Sequence, residues 1–216
     1  MPLPDAYIVA VAAELLYVAL GDSTAVGVGA ETGGGYPERL TARLRGAYSA
    51  LKLLNLGASG AMTSDLLALQ VPRALRTRPR LVSVGIGIND VGLQLPDDAF
   101  ALNLEEIVVP LRRLGAPTVI TNIPDLALSP AVARLVPPSF YERRIELFNE
   151  HITATAGRHK LSLVDLYGWS RQAMSRRPEL FSTDGFHPSA VGYDVWAERM
   201  FPAALALLRQ SAPLST

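Results

Sequence analysis

Five short runs along the chain are apolar on both faces: Leu15–Gly21, Leu51–Leu56, Leu81–Ile88, Thr118–Ile123 and Leu161–Leu166. They are rich in Val, Ile and Leu and lack a polar face, the pattern of strands buried on both sides in a parallel sheet. Between them the apolar spacing changes to that of helices. Leu40 and Leu44 stand at i, i+4 in Pro37–Tyr48, and Leu67 and Val71 do so in Ser64–Leu75. Asp97–Leu114 opens with two acids and places Arg112 and Arg113 near its end, which complements a helix dipole. Ser139–Gly157 and Ser189–Arg209 complete the predicted helices, with Pro188 expected at the first position of the last one.

Strands alternating with helices predict an α/β fold built on a parallel sheet, with right-handed crossovers placing helices on both faces. Five strands suit the flavodoxin-like order 2-1-3-4-5, in which ligands bind beyond the carboxyl ends of the strands where the order switches. The pattern contains no repeat and no dividing linker. Residues 15–210 are therefore expected to form one domain, and residues 1–14 an extension without an assigned role.

The predicted order brings the ends of the first three strands together, and each carries small or polar groups. The first ends in Gly21-Asp22-Ser23-Thr24, the second in the stretch Asn55–Thr63, and the third in Gly85–Asp90. A fourth polar group, Asp184 and His187 in "TDGFHPS", lies in a turn before the last helix. The three-residue spacing lets the carboxylate reach one ring nitrogen of the histidine and fix its tautomer. The other nitrogen is then free to take a proton from Ser23, whose hydroxyl is a weak nucleophile without such a base. The Ser23 N–H, a second N–H at Gly60 and the Asn89 amide are candidate donors to a developing oxyanion.

"GDS" at 21–23, the glycine of "SG" at 59–60, "GIND" at 87–90 and "DGFH" at 184–187 resemble, in order, the four blocks of the SGNH (GDSL-type) hydrolase family. The resemblance runs from about Leu15 to about Arg209. Thr24 stands where the older family name has leucine. It implies a three-layer α/β/α sandwich and a serine ester hydrolase of carboxylesterase or lipase type. Ser23 would be the nucleophile and, with Gly60 and Asn89, line the oxyanion hole. His187 would be the base and Asp184 its partner. Carbohydrate O-acetyl esters and thioesters are alternative substrates for the same chemistry. A binding module of another class, with "GDSTAVG" cradling a flavin or nucleotide phosphate, is the rival reading.

Composition narrows the partners. Of the 216 residues 49% are hydrophobic and 19% charged, ample for a core. Twenty basic residues balance twenty acidic ones, which gives no electrostatic basis for nucleic acid or an anionic membrane as main partner. Arg73, Arg76, Arg78 and Arg80 are expected on a solvated face. The absence of cysteine excludes disulfides and thiolate chemistry. No stretch is apolar and long enough to span a bilayer, and no basic residue precedes Arg39, so a cytoplasmic location is expected. The resemblance implies a small-molecule ester as the partner, and a reaction that needs no metal or cofactor. No feature of the pattern sets an oligomeric state.

Several other residues receive structural readings. Asp22 is expected to brace its turn, Asn55 its loop, and Asp90 to brace Asn89. His151 and His159 are expected at the surface, and the acid pairs Asp97-Asp98 and Glu105-Glu106 on a helix. Asp184 and His187 read as metal ligands lack a third protein ligand. The glycine-rich segment 27–37 has no Gly-Lys-Ser/Thr and fails the dinucleotide fingerprint. It is expected to form a mobile rim that leaves room for an acyl or alcohol group. Tyr36, Tyr141 and Trp169 are the aromatic residues expected near the site.

Overall fold

The computed structural model describes residues 15–137, 139–174 and 177–210. The extension proposed for residues 1–14 lies outside the described residues. Five parallel strands form one sheet in the order β2-β1-β3-β4-β5, as the alternating pattern predicted. They are β1 (Leu16–Gly21), β2 (Lys52–Asn55), β3 (Leu81–Gly85), β4 (Thr118–Thr121) and β5 (Ser162–Val164). The lack of a polar face on β1 and β3 follows from packing on both sides. Tyr17 and Ala19 enter one core with Tyr36, Leu40, Tyr193 and Met200. Val18 and Leu20 enter the other with Leu66, Phe100, Phe148 and Ile152. Helices therefore cover both faces, and the three-layer α/β/α arrangement is established. Two side-chain hydroxyls, Tyr17 and Ser83, lie within the sheet and are paired at 2.6 Å.

Besides the short turns Thr63–Asp65 and Val71–Ala74, the α-helices among the described residues are α1 (Ser23–Val26), α2 (Tyr36–Leu44), α3 (Ile88–Gly92), α4 (Asp97–Arg113), α5 (Pro130–Ala133), α6 (Ser139–His159), α7 (Tyr167–Ala173) and α8 (Ala190–Gln210). Three departures from the sequence expectations matter for the site. β3 stops at Gly85, short of the predicted Ile88, because Gly87 turns the chain at φ 122° and α3 begins there. That early turn carries Asn89 to the carboxyl end of the sheet.

The predicted helix over 64–75 is not one regular helix. Leu66–Gln70 forms a π turn, closed by Val71 N–H donating to Leu66 O, ahead of a short α turn at Val71–Ala74. Pro72 has no N–H to continue the ordinary ladder at this point. The wide turn places Gln70 inward, where its amide donates to Gly21 O at 2.8 Å and accepts from Gly21 N–H at 2.9 Å. Gln70 thus satisfies the last residue of β1 where β2 has already ended.

Pro188 does not start α8. It pairs with Phe181 in an isolated antiparallel bridge, and Ser189 caps the helix instead, its Oγ accepting from Gly192 N–H at 3.1 Å.

Candidate active site

Ser23 is the first residue of α1. Asp22 caps that helix, its Oδ1 accepting from Thr24 N–H at 2.8 Å and Thr24 Oγ1 at 2.7 Å. The Ala25 and Val26 N–H groups donate to Asp22 O. Among the described residues the Ser23 N–H has no acceptor. The turn thus keeps one backbone donor free beside an 8% exposed hydroxyl. The Asp22 carboxylate occupies both donors of Thr24 and sets a negative group in the turn, which counts against the phosphate-cradle reading.

Asp22 is 1% exposed, and burial pushes its carboxyl up to about 6 against the opposing bonds from Thr24. A carboxyl with a pKa higher in the folded than in the unfolded state takes up protons on folding. Its favourable contribution is complete below about pH 4 and is lost as pH rises to about 6. Asp22→Asn keeps the acceptor for Thr24 and removes the charge. The variant is expected to gain on the wild type by about 3 kcal/mol between pH 4 and pH 7. Denaturant titrations across that range measure the gain, and a pH-independent difference contradicts it.

The loop after β2 is tied to β1, with Leu56 N–H donating to Ala19 O and Ala58 N–H to Gly21 O. Asn55 braces it as expected, donating to Ala25 O at 2.7 Å and Glu38 Oε1 at 2.8 Å while accepting from Gly57 N–H at 3.0 Å. Gly60 sits at φ +78° with open space where a Cβ would point. That conformation favours glycine, and the missing side chain leaves reachable an N–H that has no acceptor among the described residues. Asn89 donates to Ala61 O at 2.8 Å, which binds it to this loop and uses one of its two amide protons. Asp90 does not brace Asn89. Its carboxylate holds Thr63, at 3.1 Å from the N–H and 2.5 Å from the hydroxyl, because α3 turns it inward.

Asp184 and His187 lie in a turn whose base is closed by Ser182 N–H to His187 O and Ser189 N–H to Leu180 O, both 2.8 Å. Asp184 Oδ1 accepts from Ser182 Oγ, Phe186 N–H and His187 N–H at 2.7–2.9 Å. Oδ2 is left for His187 Nδ1 at 2.7 Å, and His187 Nε2 lies 3.1 Å from Ser23 Oγ. Burial alone would raise the Asp184 carboxyl, but the bonds from His187, Phe186 and Ser182 outweigh it and hold it well below the usual carboxylate range. An ionised carboxylate only accepts, so Nδ1 carries a proton, and in the neutral imidazole Nε2 is then the nitrogen that can accept from Ser23.

The rim does not stand apart from the site. Gly29, at φ +89°, packs so closely on the His187 loop that a Cβ would come 2.8 Å from His187 Cβ. Tyr193 donates to Val28 O at 2.7 Å and fixes the segment from α8. These glycines permit close packing rather than leaving room for substrate.

The room lies on the other side, in a pocket of about 630 Å³ of empty space counting its open mouth. Ile88, Pro124, Leu166, Trp169, Phe181 and Phe186 line it beside Ser23 and His187. Trp169 is thus at the site, whereas Tyr36 is buried against Trp196 and Tyr141 packs at the edge of the other core. The wall from the end of β4 was not legible in the sequence. Asn122 Oδ1 there accepts from Leu166 and Tyr167 N–H, and Ser129 Oγ donates to Gly185 O at 2.8 Å. Ser129-Pro130, a cap followed by a first-position proline, was the available signal for that segment.

His151 and His159 are half-buried on α6, each 2.7 Å from a carboxylate of α4, Asp97 and Glu105. They tie two helices together away from the pocket. Among the described residues no three His, Asp or Glu side chains are grouped to hold a metal ion, and no helix is long and apolar enough to cross a membrane.

The sequence pattern of the GDSL-like Lipase/Acylhydrolase family matches residues 19–195. Esterase TesA of Pseudomonas aeruginosa is 25% identical over 197 residues, covering 91% of this chain and 90% of the relative. The GDSL-like esterase Rv1075c of Mycobacterium tuberculosis is 30% identical over 189 residues, 85% of this chain and 59% of that longer protein. The crystal structure of TesA superposes with a TM-score of 0.73 at 24% identity, over 89% of this chain and 99% of its own. LAE5, an alpha/beta hydrolase enzyme from the metagenome of Lake Arreo, superposes at 0.72 with 26% identity, over 91% and 97%. The fold and these likenesses define a serine esterase acting on ester bonds. The chain belongs to the GDSL-like lipase/acylhydrolase family.

Proposed function

We propose that the chain hydrolyses carboxylic esters with Ser23 as nucleophile, His187 as general base and acid, and Asp184 as its partner. The observation that carries this reading is the position of His187, 2.7 Å from Asp184 Oδ2 and 3.1 Å from Ser23 Oγ. Ser23 Oγ attacks the ester carbonyl carbon while His187 Nε2 takes its proton. The oxyanion is held by the N–H groups of Ser23 and Gly60 and by the second amide proton of Asn89. His187 returns the proton to the leaving alkoxide, and the alcohol departs. Water then attacks the acyl-serine with its proton passing to Nε2, and the carboxylic acid is released as Ser23 regains its hydrogen. Asp184 stabilises the imidazolium in both halves.

The apolar lining of the pocket supports an ester with one arm that fills it, rather than an acetyl group on a carbohydrate. A fluorophosphonate probe, which loses fluoride as the serine oxygen bonds to phosphorus, is expected to leave its phosphonyl group on the peptide containing Ser23, a gain of the probe mass less HF. p-Nitrophenyl esters from acetate to laurate are expected to show a maximum in kcat/KM at the chain length the pocket accepts. Labelling at another residue overturns the assignment, and a preference for acetate alone returns the O-acetyl reading. Asn89→Ala is expected to lower kcat about 10²–10³-fold with little change in KM, because its contact strengthens only as the oxyanion forms. Equal kcat values for Asn89→Ala and wild type would remove it from that role.

A further inference from the structure

The donors proposed for the oxyanion come from segments far apart in sequence, so their spacing depends on how the Gly60 segment sits against α3. Gly60 has no side chain, and its N–H meets no acceptor among the described residues. The aim of that donor is therefore set by the ties of its neighbours. On one side Ala58 N–H donates to Gly21 O at 3.2 Å and joins the segment to β1. On the other side two consecutive residues of α3 hold it. Asn89 donates to Ala61 O at 2.8 Å, just after Gly60, and Asp90 holds Thr63 two residues further on.

The Asp90 tie is the stronger of the two by its chemistry. Both carboxylate oxygens lie 3.1 Å from Thr63 N, and Thr63 Oγ1 donates to Oδ1 at 2.5 Å. Both residues are fully buried. Among the described residues every hydrogen bond to that carboxylate from another residue comes from Thr63. Bonds to a carboxylate are shorter and stronger than neutral ones, and a carboxylate out of water is unfavourable without them. Thr63 Oγ1 also accepts from Asn103 Nδ2 of α4 at 3.0 Å, which fixes the hydroxyl from a third element. Asn89 is only half-buried, makes one bond to the segment, and has its second amide proton assigned to the oxyanion. An apolar side chain would fill the place of Asp90 without the cost of burying a charge, but it could not hold Thr63.

We propose that Asp90 is a positioning residue of the oxyanion hole: by holding Thr63 it fixes the Gly60 segment on α3 and sets the spacing between the Gly60 N–H and the Asn89 amide. Asp90 touches no substrate atom. A displaced donor raises the barrier to the tetrahedral intermediate, whereas the apolar pocket still binds the ester. The proposal rests on the ester hydrolase reading above and adds a residue to that site.

The test uses variants on both sides of the tie. Asp90→Asn keeps the volume and one acceptor but loses the charge and the second oxygen. Thr63→Val keeps the shape and loses the hydroxyl, and Thr63→Ser keeps the hydroxyl. Tyr17→Phe breaks a buried hydrogen bond to Ser83 within the sheet and controls for a general loss of stability. In Asp90→Asn and Thr63→Val kcat is expected to fall about 10- to 100-fold, with KM within about twofold of wild type. Thr63→Ser is expected to stay within about threefold of wild type in kcat, and Tyr17→Phe to leave kcat unchanged.

An alkylboronic acid reads the hole without turnover. Ser23 Oγ adds to boron as His187 takes the proton, which leaves a tetrahedral anionic boronate against the donors. Its affinity is expected to fall in step with kcat, and its downfield shift of the Gly60 amide in ¹H–¹⁵N spectra to shrink in Asp90→Asn. Folded Asp90→Asn and Thr63→Val proteins with wild-type kcat and boronate affinity overturn the proposal. So does a loss confined to KM or shared by Tyr17→Phe. If neither variant folds, Asn103→Ala on the half-exposed side of α4 decides, with a loss of about threefold in kcat expected and a wild-type kcat overturning the proposal. A folded wild type inert toward every ester and toward the boronic acid overturns the hydrolase reading and this proposal together, whereas an active wild type with unaffected variants overturns this proposal alone.

Discussion

Ser23→Ala is expected to lower kcat for p-nitrophenyl esters by about 10⁴- to 10⁶-fold, the range found when an activated serine is removed from a hydrolase. The size of the effect follows from what the hydroxyl does. It forms the bond to the acyl carbon, and no cysteine or second serine faces His187 at hydrogen-bond distance among the described residues. Stability is expected to change little. Among the described residues Ser23 Oγ hydrogen-bonds His187 Nε2 alone, and alanine suits the first turn of α1. A melting temperature within about 3 °C of wild type, with activity gone, separates a chemical loss from a folding defect. A folded Ser23→Ala protein that retains a tenth of the activity places the nucleophile elsewhere.

The strand order and the two-faced sheet were legible because each rests on local pattern. Apolar runs without a polar face specify burial on both sides, and the carboxyl ends then fall together wherever the chain supplies Gly21-Asp22-Ser23 or Gly87-Ile88-Asn89. Family membership was legible for the same reason. Contacts between segments distant in sequence were not. Nothing local shows that Gln70 points inward, since that depends on the π turn before Pro72 and on β2 ending opposite Ala19, two residues short of Gly21. Asp90 was assigned to its neighbour Asn89, yet it bonds Thr63, 27 residues away. The rim glycines read as slack, but the close approach of Gly29 to His187 is a tertiary fact that a glycine count cannot supply. The pocket wall from Pro124 to Ser129 was missed because its function depends on Ser129 reaching Gly185 across the fold.

Asp184→Asn is the second large effect expected, a loss of about 10³–10⁴-fold in kcat with the fold retained. The two carboxylate oxygens have separate tasks. Oδ1 accepts three bonds that shape the turn, and an asparagine Oδ1 can accept the same three. Oδ2 accepts from His187 Nδ1, and there an amide nitrogen stands in its place. An amide nitrogen donates, so Nδ1 must become the acceptor and the ring proton moves to Nε2. Nε2–H then points at Ser23 Oγ and cannot take its proton. The substitution therefore keeps the geometry and reverses the proton.

Asp184→Ala loses the turn bonds as well, and is expected to lower the melting temperature where Asp184→Asn does not. The stability from the depressed Asp184 carboxyl is present above the usual carboxylate range and is lost as pH falls below about 4. The melting difference between wild type and Asp184→Ala should accordingly shrink in acid. Single-turnover acylation rates for the two variants, read beside their melting curves, separate the tasks. An asparagine variant within tenfold of wild type in acylation would show that Asp184 shapes the turn and does not set the histidine tautomer.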